Sequence, residues 1–146
     1  MAFVSVTRLR VRSVRFLPMV FLDFIRTRRQ VERAAGFRTG ALLADRGWAF
    51  WTLTVWDDQA SMRRYMTNGS HRVAMPTLLE RCDEAAVAHW EQDAAVLPSW
   101  AEADRRMRTE GRASKVRHPS SDHAAMRFAV PDPARSTVLT PVAATA

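Results

Sequence analysis

Cysteine and lysine are nearly absent from this chain. Its 146 residues include one cysteine, Cys82, and one lysine, Lys115. A single cysteine excludes an intrachain disulfide and a cysteine-based metal cluster. The formal net charge is +7, so the excess positive charge is carried almost entirely by arginine.

Long apolar runs and the short motifs of several enzyme classes are also missing. The sequence has no GxGxxG, P-loop, GxSxG or HExxH motif, which argues against Rossmann-type hydride transfer, NTP hydrolysis and serine or zinc hydrolysis. His118 and His123 lie five residues apart in a Pro/Ser-rich stretch, a spacing that is weak evidence for metal binding without a full set of ligands, so no metal site is predicted. The longest apolar stretch, residues 16–25, contains Asp23 and is too short to span a bilayer. With no evident secretory signal, a cytoplasmic location is predicted.

The positive charge is concentrated near the N-terminus. Residues 1–35 carry eight arginines against Asp23 and Glu32. Such a surface attracts anionic lipid or nucleic acid, or is simply a solvated helix face. The arginines do not alternate with exposed aromatic residues in a recognisable motif, which argues against nucleic-acid binding. Residues 16–25, with arginines on both sides, are compatible with peripheral membrane contact.

Hydrophobic patterning predicts the element order β-α-β-β-α-β over residues 3–91. Apolar residues alternate over residues 3–12, 37–44, 48–56 and 85–91, as in strands. Helical spacing is found over residues 17–34, after Asp57, and over residues 71–81, with a break at Asn68-Gly69. The predicted fold class is α+β, a ferredoxin-like βαββαβ unit with an antiparallel sheet.

The third predicted strand, residues 48–56, is apolar on both faces. Phe50 and Trp56 share one face with Thr52 and Thr54, while Trp51, Leu53 and Val55 occupy the other. Both faces must be covered by protein. The domain's helices can cover one face, and a second subunit is the economical cover for the other, which predicts a homodimer.

The composition changes after residue 97. Residues 1–97 are predicted to form the domain, and residues 98–111 an appended helix with Ser99 as N-cap and Glu102 at the third helical position. Residues 112–146 contain four prolines and many small polar residues, so this tail is predicted to be extended or disordered. Met126, Phe128 and Val130 alternate and could add one short strand.

Three stretches carry a family resemblance. Residues 36–43 (GFRTGALL), 51–58 (WTLTVWDD) and 68–76 (NGSHRVAMP) resemble an uncharacterised bacterial family of the DUF3291 type, in the dimeric α/β-barrel superfamily. Residues 53–58 are also similar to spheroidene monooxygenase, a carotenoid-oxidising enzyme associated with haem. More distantly, residues 54–56 and the helix after them resemble the antibiotic-biosynthesis and haem-degrading monooxygenases.

The resemblance implies a substrate pocket between the sheet and the helices. Trp56 would line it, together with Phe50, Thr52 and Thr54 from the same strand face. Met75 would lie there too, at the position where haem-degrading relatives carry their proximal histidine. The cofactor is left open between none and haem.

His71 is the candidate catalytic residue. It lies at a predicted helix start, where the helix dipole favours a neutral imidazole that can act as a base or an iron ligand. The first hypothesis is a monooxygenase-like oxidoreductase that binds an apolar, conjugated small molecule. The alternative is a non-catalytic ligand-binding or interaction module of the same fold. The absence of histidine at position 75, and of the asparagine that the family carries on its first strand, favours that alternative.

Overall fold

The computed structural model describes residues 1–142. The strands in this range are β1 (Ala2–Val11), β2 (Phe37–Ala44), β3 (Ala49–Trp56), β4 (Cys82–Gln92), β5 (Arg112–Ala113) and β6 (Ser136–Leu139). The helices are α1 (Leu17–Glu32), α2 (Gln59–Met66), α3 (Gly69–Arg81) and α4 (Trp100–Glu110). Across these 142 positions, no helix is long and apolar enough to cross a bilayer.

All six strands belong to one antiparallel sheet. Their order is β5-β4-β1-β3-β2-β6, and every neighbouring pair runs antiparallel. The predicted ferredoxin-like α+β fold is therefore confirmed. The second helical region is divided into α2 and α3 at Gly69, which has a φ of +57°.

One face of the sheet packs against α1, α2 and α3. Phe3 and Leu9 of β1 and Trp56 of β3 are buried on this side. Val20 and Val31 are the buried residues of α1. Since side chains alternate along a strand, the intervening residues of β1 and β3, such as Val4, Val6, Leu53 and Val55, point to the opposite face.

The opposite face is covered by the same chain. Val6, Leu53 and Val55 are fully buried there, and α4 packs on them through Ala103 and Met107. The prediction that β3 is covered on both faces is confirmed. Its second cover, however, comes from residues 97–128 and not from a second subunit, so this face gives no argument for the homodimer.

The segment after α4 contains short strands, turns and a 3-10 helix, and it is anchored to the domain. Residues 126–130, which could have added a short strand, do not form one. The tail instead adds β6 to the sheet, where it pairs with β2. Ser120 Oγ donates to Glu84 Oε2 over 2.7 Å, and Glu84 Oε1 lies 2.7 Å from Nη1 of the buried Arg8. Leu139 of β6 is fully buried. Residues 143–146 of the predicted tail lie outside the described range.

Candidate functional site

A cavity of about 90 Å³ lies between the sheet and helices α1, α2 and α3. Its walls combine apolar side chains with an equal number of polar ones, so that polar groups are available to orient a small molecule. The polar lining residues are Ser5, Thr7, Asp23, Thr27, Arg28, Thr52, Thr54, Tyr65 and His71. The apolar lining residues are Leu9, Phe24, Val31, Leu42, Met62, Met66, Met75, Leu78 and Leu139.

His71 is held as a neutral imidazole. Its Nδ1 lies 3.0 Å from the carbonyl oxygen of Met66. A carbonyl oxygen only accepts, so Nδ1 carries the proton and the lone pair of the neutral ring lies on Nε2. Burial lowers the pKa of His71 below its usual value, with the Met66 carbonyl acting in the opposite direction. Nε2 has no hydrogen-bond partner within residues 1–142, and it is therefore free to act as a base.

Gln30 of α1 positions the helix start that carries His71. Its Oε1 accepts from the backbone N–H of His71 over 2.8 Å. Its Nε2 donates to the carbonyl oxygens of Tyr65, over 3.0 Å, and Asn68, over 2.8 Å. One side-chain amide thereby joins α1 to the junction between α2 and α3.

Tyr65 forms the wall next to His71. The two ring centroids are 4.9 Å apart. The phenol hydroxyl donates to the Thr27 carbonyl oxygen over 3.4 Å. Burial raises the pKa of Tyr65 far above its usual value, so the phenol stays protonated and is a hydrogen-bond donor, not a base.

The structure brings four of the six residues chosen from the sequence to the cavity wall. Thr52, Thr54, His71 and Met75 all line it. Trp56 does not: it is fully buried and its ring stacks behind Tyr65, with the centroids 5.3 Å apart. Trp56 ends β3, and Tyr65 of the following helix lies between it and the cavity.

Phe50, the sixth residue, lines a neighbouring groove and not the cavity. This groove of about 220 Å³ lies between α1 and the β2–β3 part of the sheet. Phe24, Arg28 and Leu42 line both spaces and separate them. The Phe24 and Phe50 ring centroids are 5.2 Å apart, so Phe24 is the side chain whose movement would join cavity and groove.

Asp23 is a polar lining residue that the sequence reasoning did not select. Its Oδ2 is buried without a hydrogen bond to any residue in the range 1–142, and Arg81 Nη1 lies 3.6 Å away. The interruption of the apolar stretch 16–25 by an acid was the signal that could have identified it. The role of Gln30 could not be predicted in this way, because a glutamine next to arginines is typical of the solvent-exposed face of a helix.

The lining residues do not fit a haem group. The cavity volume of about 90 Å³ is far below the roughly 300–1,000 Å³ of typical small-molecule and cofactor sites. His71 is the only histidine that lines the cavity, and the groove is lined by no His, Cys, Met or Tyr. Within residues 1–142, no group of three or more His, Cys, Asp or Glu side chains could hold a metal ion.

Comparison with solved structures identifies proteins of the same fold. SnoaB, a cofactor-independent oxygenase from Streptomyces nogalater, is 21% identical with a TM-score of 0.52, and the match covers 67% of this chain and 98% of SnoaB. An antibiotic biosynthesis monooxygenase is 11% identical with a TM-score of 0.57, covering 64% of this chain and all of that one. This chain has the fold of the antibiotic-biosynthesis monooxygenases.

A conserved protein from Methanosarcina mazei shares the same fold. It is 14% identical with a TM-score of 0.58, and the match covers 64% of this chain and 94% of that protein. No protein-family model matches the chain, and no curated protein matches it. The resemblance to the DUF3291-type family and to spheroidene monooxygenase is accordingly not confirmed. At these identities the likeness establishes the fold alone.

Proposed function

We propose that this protein is a cofactor-independent, monooxygenase-like enzyme that oxidises a small, apolar, conjugated molecule. The observation that carries the proposal is His71, a partly buried neutral imidazole that lines the cavity and whose Nε2 has no hydrogen-bond partner in the described part of the chain. A base of lowered pKa in such a cavity can remove a proton from an activated carbon. The cofactor-independent oxygenase among the solved structures of the same fold agrees with this chemistry.

The reaction needs only the substrate and molecular oxygen. Nε2 of His71 takes a proton from an activated CH₂ carbon, and the resulting carbanion transfers electrons to O₂. A carbon–oxygen bond forms, the proton returns to give a hydroperoxide, and loss of water leaves a carbonyl group. Substrate and O₂ thus become ketone and water, with the substrate as the sole reductant. Thr7 and Thr52 line the cavity, and their hydroxyls are donors available to an oxyanion that develops on the substrate.

The ligand is expected to occupy both spaces. The cavity beside His71 holds about 90 Å³ and the adjoining groove about 220 Å³. The reacting carbon would lie in the cavity, and the apolar body would extend along the groove past Phe24. Arg28 lines both spaces and is placed to contact a polar substituent.

Oxygen consumption tests the proposal directly. Anthrone and its hydroxylated derivatives are suitable probes, since each has an activated CH₂ carbon whose deprotonation gives an oxygen-reactive carbanion. His71→Gln should lower kcat by about 10²–10⁴-fold with little change in KM, while Val73→Ser, on the exposed side of α3, should leave turnover unchanged. Equal turnover in His71→Gln and the unaltered protein would reject His71 as the base. The visible spectrum of the purified protein provides a second check, because a Soret band would indicate haem.

A non-catalytic ligand-binding module is the second candidate. The observation that favours it is the bonding of His71 itself, whose Nδ1 and backbone N–H both hold the α2–α3 junction together. A purely structural histidine would be bonded in the same way. This function predicts quenching of tryptophan fluorescence by an apolar probe, with no oxygen consumed in the presence of any of the compounds above.

The homodimer and the cytoplasmic location remain predictions from the sequence. Light scattering measures the oligomeric state, and cell fractionation measures the location.

A further inference from the structure

We propose that the outward surface of α1, with the short 3-10 helix before it (Val14–Phe16), binds a membrane that contains anionic lipid. This α1 surface consists of four exposed apolar residues, Val14, Met19, Phe21 and Leu22, and the exposed arginines Arg15, Arg26 and Arg29. The membrane contact does not depend on the proposed oxygenase function.

The apolar part of the α1 surface is unusually exposed. Phe21 is 62% exposed, Val14 61% and Met19 47%. The other large exposed apolar residues in the range 1–142 are scattered over separate elements, and single residues of that kind need no explanation. Four of them fall within nine positions, and Met19 and Leu22, three apart on α1, share the helix face that also carries Arg26 and Arg29. An exposed apolar group of this kind marks an interaction site.

These residues face outward because the opposite face of α1 packs against the core. Val20 and Val31 are buried against the sheet and the neighbouring helices. A helix on a protein surface normally carries polar residues opposite its buried stripe. The first two turns of α1 carry apolar residues there, and polar residues replace them only from Arg26 onward.

The charge beside the patch is positive and is not neutralised by α1. Arg15, Arg26 and Arg29 form no salt bridge with any residue in the described range. The two acids of α1 are engaged elsewhere: Asp23 lies 3.6 Å from Arg81, and Glu32 lies 2.8 Å from Arg28. At the interface of an anionic bilayer, the apolar side chains would insert at the edge of the acyl region while the arginines interact with the anionic headgroups.

A second copy of this chain and a nucleic acid fit the α1 surface less well. A twofold contact through it would bring two sets of arginines together without an acid from α1 between them. A nucleic acid would engage the arginines but leave Met19 and Leu22 in water. An anionic membrane accommodates both kinds of residue.

The location of this surface suggests how an apolar ligand reaches the site. Phe21 belongs to the α1 surface and also lines the groove that adjoins the cavity. A protein docked through α1 would therefore have the rim of its groove at the lipid surface. This consequence rests on the proposed function, whereas the docking itself does not.

Vesicle co-sedimentation of the full chain tests the proposal. The probes are phosphatidylcholine vesicles with and without phosphatidylglycerol, each at low and high salt. We expect binding only to the anionic vesicles, weakening as salt screens the charges. Met19→Ser with Leu22→Ser, and separately Arg26→Gln with Arg29→Gln, should each reduce binding by about tenfold or more.

The controls separate this proposal from the oxygenase function and from folding. Met19 and Leu22 line neither the cavity nor the groove, so turnover of a soluble probe should be unaffected by their replacement. Val73→Ser removes an apolar side chain that is 77% exposed on another helix and should leave vesicle binding intact. Absence of binding, or equal binding to vesicles without phosphatidylglycerol, would overturn the proposal. A dimer detected by light scattering and dissociated by Met19→Ser with Leu22→Ser would also overturn the proposal, because the α1 surface would then bind a second copy of the chain.

Discussion

The side chain of Gln30 and the backbone of His71 are joined by a hydrogen bond across two helices. The N–H of His71 donates to Oε1 of Gln30 over 2.8 Å, while Nε2 of Gln30 donates to two carbonyl oxygens at the end of α2 and the start of α3. The orientation of the candidate base therefore depends on α1, although His71 itself belongs to α3.

Replacing Gln30 by alanine should loosen this junction. The substitution removes three hydrogen bonds and leaves partly buried backbone groups unsatisfied, at an expected cost of about 1–3 kcal/mol in the free energy of unfolding. Urea denaturation measures the loss, and the NMR shift of the His71 ring reports its displacement. Gln59→Ala, at an exposed position in the first turn of α2, is the matched control. If Gln30→Ala were as stable as Gln59→Ala, the amide would not hold the junction.

Gly69→Ala should be more destabilising than Gly47→Ala. Both glycines have positive φ values, +57° and +68°, so each alanine incurs about 1–2 kcal/mol of left-handed strain. At Gly47 an added Cβ meets nothing within 4 Å, whereas at Gly69 it would lie 3.1 Å from Cδ of Gln30. The difference between the two unfolding free energies isolates the contact with Gln30. Equal losses would show that Gln30 can move away freely.

Acidification should destabilise the fold through His71. Its pKa is lowered by burial from a usual value of 6.5, so below about pH 6.5 the unfolded chain binds a proton that the folded chain does not. The stability is full above that pH and falls as the pH drops toward the lowered pKa of the folded state. His89, whose pKa is also lowered by burial, acts in the same direction.

The slope of stability against pH measures this effect. His71→Gln should flatten the slope between pH 6.5 and the lowered pKa, since glutamine does not titrate, and His89→Gln should remove a separate part of it. An unchanged slope in His71→Gln would contradict the lowered pKa. Asp23 and Arg28 line the same cavity and are retained in both variants.

A chain that ends at residue 96 should self-associate more than the full chain. Its sheet would lose the cover provided by Ala103 and Met107 and would expose a continuous apolar face that includes Leu53 and Val55. Light scattering and binding of an apolar dye measure the outcome, with a chain that ends at Val142 as control. Identical mass and dye binding in the two chains would mean that residues 97–142 are not needed to cover this face.

The alternation along β3 explains why much of the fold could be predicted. A period of two assigns each residue of a strand to one face, and Trp51, Leu53 and Val55 are indeed buried opposite Thr54 and Trp56. The pattern shows that both faces are covered but does not show by what. The apolar stripe of α4 is narrow and the tail contains few aromatic residues. The sequence pattern therefore did not predict that these segments cover the second face of the sheet.

The site was predictable where local rules position its residues. Thr52 and Thr54 follow from the strand period, and the break at Gly69 turns His71 and Met75 toward the same face. Tyr65 and Gln30 depend on contacts between helices that are distant in sequence. No local pattern reveals that Tyr65 lies between Trp56 and the cavity, because this depends on how α2 packs on the end of β3.

Leu139 has a consequence for the order in which the protein is made. This fully buried residue of β6 lines the cavity beside residues from the first half of the chain, and it pairs with Gly40 of β2. During synthesis the N-terminal part of a chain emerges and begins to fold first, so β1 to β4 are available long before residue 139. A nascent chain therefore forms the cavity without the Leu139 side chain until residue 139 has left the ribosome.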